Sequence, residues 1–287
     1  MCGIVGIISN QPVAPLLLEG LKRLEYRGYD SAGIATLLNS SIERRRAEGK
    51  LVNLEGRLVE DPVEGSIGIG HTRWATHGVP SETNAHPHAT ARAAVVHNGI
   101  IENFQELREE LKEYGDQFVT ETDTEVIVHL VTRYMDEGME PKEAVAASLP
   151  RLEGAFALVL IFAGKHDFMI GARRGSPLAI GFGDGEMYIG SDALALAPLT
   201  RQICYLEEGD WAVIARDELD IIDESGNAVT RPVVETAMSG AMTGKGDFRH
   251  FMLKEIYEQP SVIGETLNTM LNPATQTITL PPMPFDF

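Results

Sequence analysis

The run MCGIVGII puts a cysteine directly behind the initiator methionine, and the small second residue favours removal of Met1. Cys2 would then carry a thiol and a free α-amine on the same carbon. The thiol has an ordinary pKa near 8.5 and the amine one near 7.7–8.0. Such an amine can take the thiol proton at neutral pH, directly or through one water, with no histidine partner. The chemistry is nucleophilic acyl transfer, which also needs donors aimed at the oxyanion that forms. HNGIIEN offers Asn98 and Gly99, a side-chain amide beside a glycine that a substrate can approach closely. GHTRWATHG places Arg73 beside Trp74, where a guanidinium fork can hold a carboxylate. TETDTE puts Asp123 at the start of a helix, suited to a cation such as an amino-acid α-ammonium. Each feature has an ordinary reading by itself: an early cysteine, a turn, a surface arginine, an N-cap.

These residues need elements to carry them. Cys2 to Ile8 is an apolar run of strand length, and PVAPLLLEGLKRLEY has leucines at helical spacing. SAGIATLL, SIGIGHTRWAT and RAAVVHNG read as strands, the last ending at a turn after Asn98-Gly99. SSIERRRAEG is a basic, polar stretch with no element assigned to it. NFQELREELKEYG and TDTEVIVHLVTRYMDEG read as helices, the second with Thr122 or Asp123 as N-cap. From Gly154 onward, short apolar runs alternate with Gly and Asp turns, a pattern of antiparallel strands. FMLKEIYEQPSVIGETLNTML is expected to be a helix with one proline, preceded by a glycine-rich loop and followed by a proline-rich tail. Strands and helices do not alternate regularly, so the expected class is α+β, antiparallel sheets covered by helices.

The 287 residues carry a net charge of −18, from 24 basic and 42 acidic side chains. That balance argues against a nucleic-acid partner, which needs a basic stripe. No apolar run reaches membrane-spanning length, and the N-terminus lacks the basic segment of a signal peptide. Two cysteines far apart give no disulfide framework, which points to a reducing, cytoplasmic setting. Cys204 is expected to be an inert core thiol. His86 and His88 form an HxH without the neighbouring ligands of a metal site, so loop structure is expected there and no metal or cofactor.

Taken in order, CGIVGII, LKRLEYRGYDSAGIA, GHTRWATHGVPSETNAHPH, VVHNGIIENFQELREEL, TETDTEVIVHL and MLKEIYEQP resemble the glutaminase half of the glutamine:fructose-6-phosphate amidotransferases. The resemblance runs from Cys2 to about Pro260. It implies the N-terminal nucleophile hydrolase sandwich, two antiparallel sheets between helical layers. It implies that Cys2 forms a γ-glutamyl thioester with its own amine as base, and that Asn98 and Gly99 make the oxyanion hole. Arg73, helped by Thr76 and His77, would hold the α-carboxylate of L-glutamine, and Asp123 its α-ammonium. Trp74 would lie in a loop that closes over glutamine and gates ammonia passage.

The same resemblance implies a glutaminase domain over residues 1–240, then a linker and first helix over 241–287. These lead to an isomerase half, absent from this chain, that binds fructose 6-phosphate and accepts the ammonia. By itself the chain is expected to hydrolyse glutamine, and to be monomeric, because dimer contacts lie mostly in that other half. Two alternatives stand beside this. One is a silent module that binds glutamine without turnover. The other is an N-terminal nucleophile hydrolase acting on a different amide, which the Arg73 and Asp123 pair disfavours.

Overall fold

The first strand, β1 (Gly3–Ile8), is buried along its whole length. Alternate side chains of a strand leave on opposite faces. Ile4 and Ile8 enter one apolar cluster and Val5 and Ile7 another, so β1 lies inside a stack of layers. The computed structural model describes residues 2–236, 248–272 and 277–278.

After β1 come α1 (Ala14–Lys22), the hairpin β2 (Ser31–Leu38) and β3 (Ser41–Glu48), α2 (Leu51–Glu60) and β4 (Ile67–Arg73). The short β5 (His88–Ala89) and β6 (Ala93–Ile101) precede three helices, α3 (Phe104–Glu113), α4 (Glu125–Asp136) and α5 (Pro141–Ser148). Then follow β7 (Gly154–Phe162), β8 (Lys165–Arg174), β9 (Ala179–Phe182), β10 (Met187–Gly190) and the single turn α6 (Ala193–Leu196). The last strands of this unit are β11 (Gln202–Tyr205), β12 (Trp211–Ala215), β13 (Leu219–Ile222), β14 (Ala228–Val229) and β15 (Val233–Glu235).

The strands form two antiparallel sheets, ordered β15-β11-β9-β10-β1-β4-β2-β3 and β14-β13-β12-β8-β7-β6-β5. Ile4, Ile69, Val96, Val159 and Ile189 belong to the cluster between the sheets. Leu17 and Leu21 of α1 and Leu51 and Leu54 of α2 cover the outer face of the first sheet. Leu107 of α3, Val131 of α4 and Val145 of α5 cover the second. This α+β, four-layer arrangement is the N-terminal nucleophile hydrolase fold.

The chain divides into two units, Met1–Met242 and Thr243–Phe287. The second contains α7 (Phe251–Met270), with Pro260 inside it, and the two-residue strands β16 (Leu271–Asn272) and β17 (Thr277–Ile278). Met1, most of the glycine-rich loop before α7 and most of the proline-rich tail lie outside the described residues. Among the described residues, no helix is long and apolar enough to cross a membrane.

The fold departs from the sequence reading in four places. The basic, polar stretch SSIERRRAEG, to which the sequence pattern assigns no element, contains the edge strand β3. Its arginines hold a neighbouring loop instead of filling a core: Arg44 donates to the carbonyl of Pro87 at 2.9 Å, and Arg46 to those of Thr83 and Ala85 at 2.8 and 3.0 Å. Charge there hides the strand period. Helices α2 and α5 were not anticipated, although α5 opens with Pro141 and a Glu140/Glu143 capping box. The strand through Asn98 does not stop at Gly99 but runs on to Ile101, paired with β7 throughout. Finally, α4 is capped at Thr124 without a side-chain bond, which leaves Asp123 for another use.

Close sheet packing requires two glycines. A Cβ at Gly6 or at Gly171, on opposing sheets, would strike the side chain of Ile189, the latter at its Cδ1. Gly171→Ala should therefore lower stability by about 1–3 kcal/mol, the scale of overpacking. Ile189→Val removes that Cδ1 and should restore part of the loss. Thermal midpoints of the two single variants and the pair test this, and strictly additive losses would contradict it.

Candidate active site

Strand periodicity delivers the site. Ile67 and Ile69 of β4 point into the layer between the sheets, and the same alternation puts His71 and Arg73 on that face. In β6 the row Ala94, Val96 continues to Asn98. Register places Gly3 opposite Thr72 and Ile4 opposite His71, so Cys2 begins where both rows end. The apolar layer thus finishes in polar groups that are nearly all buried: His71, Arg73 and Asn98 are 0, 3 and 8% exposed.

Cys2 is half-buried. Its Sγ accepts from the backbone N–H of Trp74 at 3.2 Å and lies 3.5 Å from the Trp74 carbonyl. Burial pushes the thiol pKa up, while the Trp74 N–H and the Arg73 cation act the other way. The Asn98 amide nitrogen donates to the Cys2 carbonyl at 3.2 Å. Beside it, Gly99 has φ +129°, and a Cβ there would run into the carbonyl oxygen of Ala155. Only glycine lets β6 continue past that point.

The loop after β4 is anchored by the YRGYDS segment. Asp30 donates its N–H to the Arg73 carbonyl at 2.7 Å, and its carboxylate accepts from the Ala75 N–H and from Ser31 Oγ. Trp74, 53% exposed, rests on Gly28, whose φ of +76° and missing Cβ make room for the indole.

Arg73 donates to the carbonyls of His77, Gly78 and Val79, and among the described residues it forms no ion pair. Burial lowers its pKa, while Asp30 and, more weakly, Asp123 and Glu121 act the other way. That carbonyl cradle is fixed from outside. Asn84 donates to Val79 O and to Glu121 Oε2, each at 3.0 Å, and accepts from the Glu121 N–H at 3.0 Å. Asp123 is buried and accepts from the Ile101 N–H at 2.8 Å.

Cys2, Arg73, Trp74, Thr76, His77 and Asp123, with Gly99, line one small cavity. A wider cavity shares Cys2, Trp74, Thr76 and Gly99 with it and adds Asn98. Every site residue named from the sequence therefore faces one of two cavities that meet at Cys2. The small one presents a thiol, a cation and an anion together.

Sequence reasoning missed the support behind that cavity. His71 packs on His86 with ring centroids 4.2 Å apart, and His88 meets His86 edge-on at 4.5 Å. Thr124 Oγ1 lies 2.8 Å from His86 Nε2 and 2.9 Å from His97 Nδ1, and Thr122 Oγ1 lies 3.1 Å from His88 Nε2. His86 lies in the loop as expected and His88 in β5, and both imidazoles are buried. Among the described residues no group of His, Cys, Asp or Glu is placed to hold a metal. The available signal was the period-two row from Ile67, which puts His71 on the same face as Arg73.

Burial holds all four imidazoles below their ordinary pKa, His71 at about 3. A histidine kept neutral in the fold takes up a proton when the chain unfolds in acid. Its stabilising contribution is therefore complete above about pH 6.5 and is lost as the pH falls toward the folded value. The thermal midpoint should be level near neutrality and drop steeply below about pH 6.5. A midpoint unchanged down to about pH 4 would contradict the buried neutral cluster.

The fold is that of the N-terminal nucleophile amidotransferases. Residues 71–198 match the glutamine amidotransferase domain family. The whole chain is 60% identical to a glutamine–fructose-6-phosphate aminotransferase (isomerizing) of Bradyrhizobium diazoefficiens and 55% identical to that of Gluconobacter oxydans, covering 47% of each. Among solved structures it resembles the glutamine phosphoribosylpyrophosphate amidotransferase of B. subtilis, with TM-score 0.68 and 26% identity over 79% of this chain and 50% of that one. An allosteric regulatory enzyme of purine biosynthesis aligns with TM-score 0.67 and 28% identity over the same shares. The whole chain is similar to the N-terminal part of the glutamine–fructose-6-phosphate aminotransferases. It spans about half the length of those relatives.

Proposed function

We propose that this chain hydrolyses L-glutamine to glutamate and ammonia through a γ-glutamyl thioester on Cys2. The observation that carries the reading is the small cavity in which Cys2, Arg73 and Asp123 meet. A free amino acid offers the carboxylate and ammonium that such a cation and anion recognise. With Met1 removed, the Cys2 amine takes the thiol proton, and the thiolate attacks the γ-carbonyl carbon. Asn98 Nδ2 and the Gly99 amide stabilise the oxyanion; the C–N bond then breaks and the proton leaves with ammonia. Water hydrolyses the thioester and releases glutamate. Arg73, with Thr76 and His77, binds the α-carboxylate, Asp123 binds the α-ammonium, and Trp74 closes the cavity.

In a protein of the relatives' full length, the ammonia would pass to a second, isomerase half and convert fructose 6-phosphate to glucosamine 6-phosphate in the cytoplasm. The relatives' names and their roughly doubled length support that extension.

Arg73→Lys tests substrate recognition. One ammonium cannot reproduce the guanidinium fork. The KM for glutamine should rise about 10- to 100-fold, the worth of a lost charge-assisted hydrogen bond, with a smaller change in kcat. An unchanged KM would remove Arg73 from the carboxylate site.

A further inference from the structure

The side chain that decides which way the Asn98 amide faces is His71. Its Nε2 lies 2.9 Å from the His97 carbonyl oxygen and 3.0 Å from the Asn98 side-chain oxygen. A carbonyl oxygen only accepts, so His71 Nε2 must carry the hydrogen. The Asn98 atom opposite that N–H must then be its oxygen, which turns the amide nitrogen to the Cys2 side. A flipped Asn98 would set an NH₂ against an N–H in a site with no water-exposed escape, since His71 is fully buried. The other ring nitrogen, Nδ1, is buried without a partner, consistent with a neutral imidazole protonated at Nε2. Two fixed points hold the ring itself: the β4 backbone that carries it and the His86 ring stacked on it.

We propose that His71 is a positioning residue for the reaction, fixing the Asn98 amide with its Nδ2 hydrogens aimed at the developing oxyanion. The inference rests on Asn98 being an oxyanion donor. His71 touches neither substrate nor nucleophile and acts through Asn98 alone. Its loss should therefore lower kcat and leave glutamine binding nearly intact. Removing a side chain that orients another reacting group costs about 10- to 100-fold.

The test is a double-mutant cycle on the purified chain, read as glutamate release, with folding of each variant checked by its thermal midpoint. Asn98→Ala should lower kcat about 100- to 1000-fold. His71→Leu should lower kcat about 10- to 100-fold with KM within about threefold, and should cost almost nothing further in the Asn98→Ala background. His71→Gln, which keeps a donor near the Nε2 position, should recover most of the kcat. Should His71→Leu fail to fold, His71→Asn, whose amide is too short to reach Asn98, takes its place. Additive losses in the double variant, or equal losses for Gln and Leu, would overturn the role of His71 while leaving Asn98 in place. A fully active Asn98→Ala would instead overturn the oxyanion assignment itself.

Discussion

The structure is organised around a cation it has to hold away from water. Arg73 is nearly buried at the end of an apolar row, where an unpaired charge is costly. Three consecutive backbone carbonyls meet it in place of an acid. The carboxylate binding proposed for Arg73 would complete this partial compensation.

Holding three carbonyls in position requires further polar structure, which surrounds the site in concentric contacts. Asn84 and Glu121 clamp the loop at Val79 from one side. Asp30 secures the other end at Ala75. Arg44 and Arg46 of the edge strand pin the segment that brings His86 and His88 beneath it, and burial lowers the Arg46 pKa to about 10. These two arginines and the imidazole cluster explain why β3 is charged yet structural. Buried polar groups of this kind need every partner in place, and they specify one arrangement in return.

Much of the layered fold was legible because its signals are local and repetitive. The alternation in Ile4, Val5, Ile7 and Ile8 and the leucine spacing of α1 depend only on which face is buried. The candidate site residues stand out in the sequence as types: an N-terminal thiol, an amide beside glycine, an arginine beside tryptophan. What was not legible is pairing across long sequence separations. Nothing adjacent to Arg44 indicates that it will bond Pro87, and nothing in TETDTE shows that Asp123 accepts from Ile101 instead of capping α4. His71 was passed over for a related reason: its neighbours in sequence, Gly70 and Thr72, lie on the opposite face, and its partner Asn98 is on another sheet.

The central claim is that Cys2, freed of Met1, is the residue that becomes acylated by glutamine. Intact mass followed by peptide mapping, after incubation with a glutamine analogue bearing an electrophile at the γ position, tests it most directly. The account predicts a chain lacking Met1 that gains one analogue, located on Cys2, with labelling suppressed by excess L-glutamine. Labelling at Cys204, or a Met1-free folded chain that takes up no analogue, would contradict it.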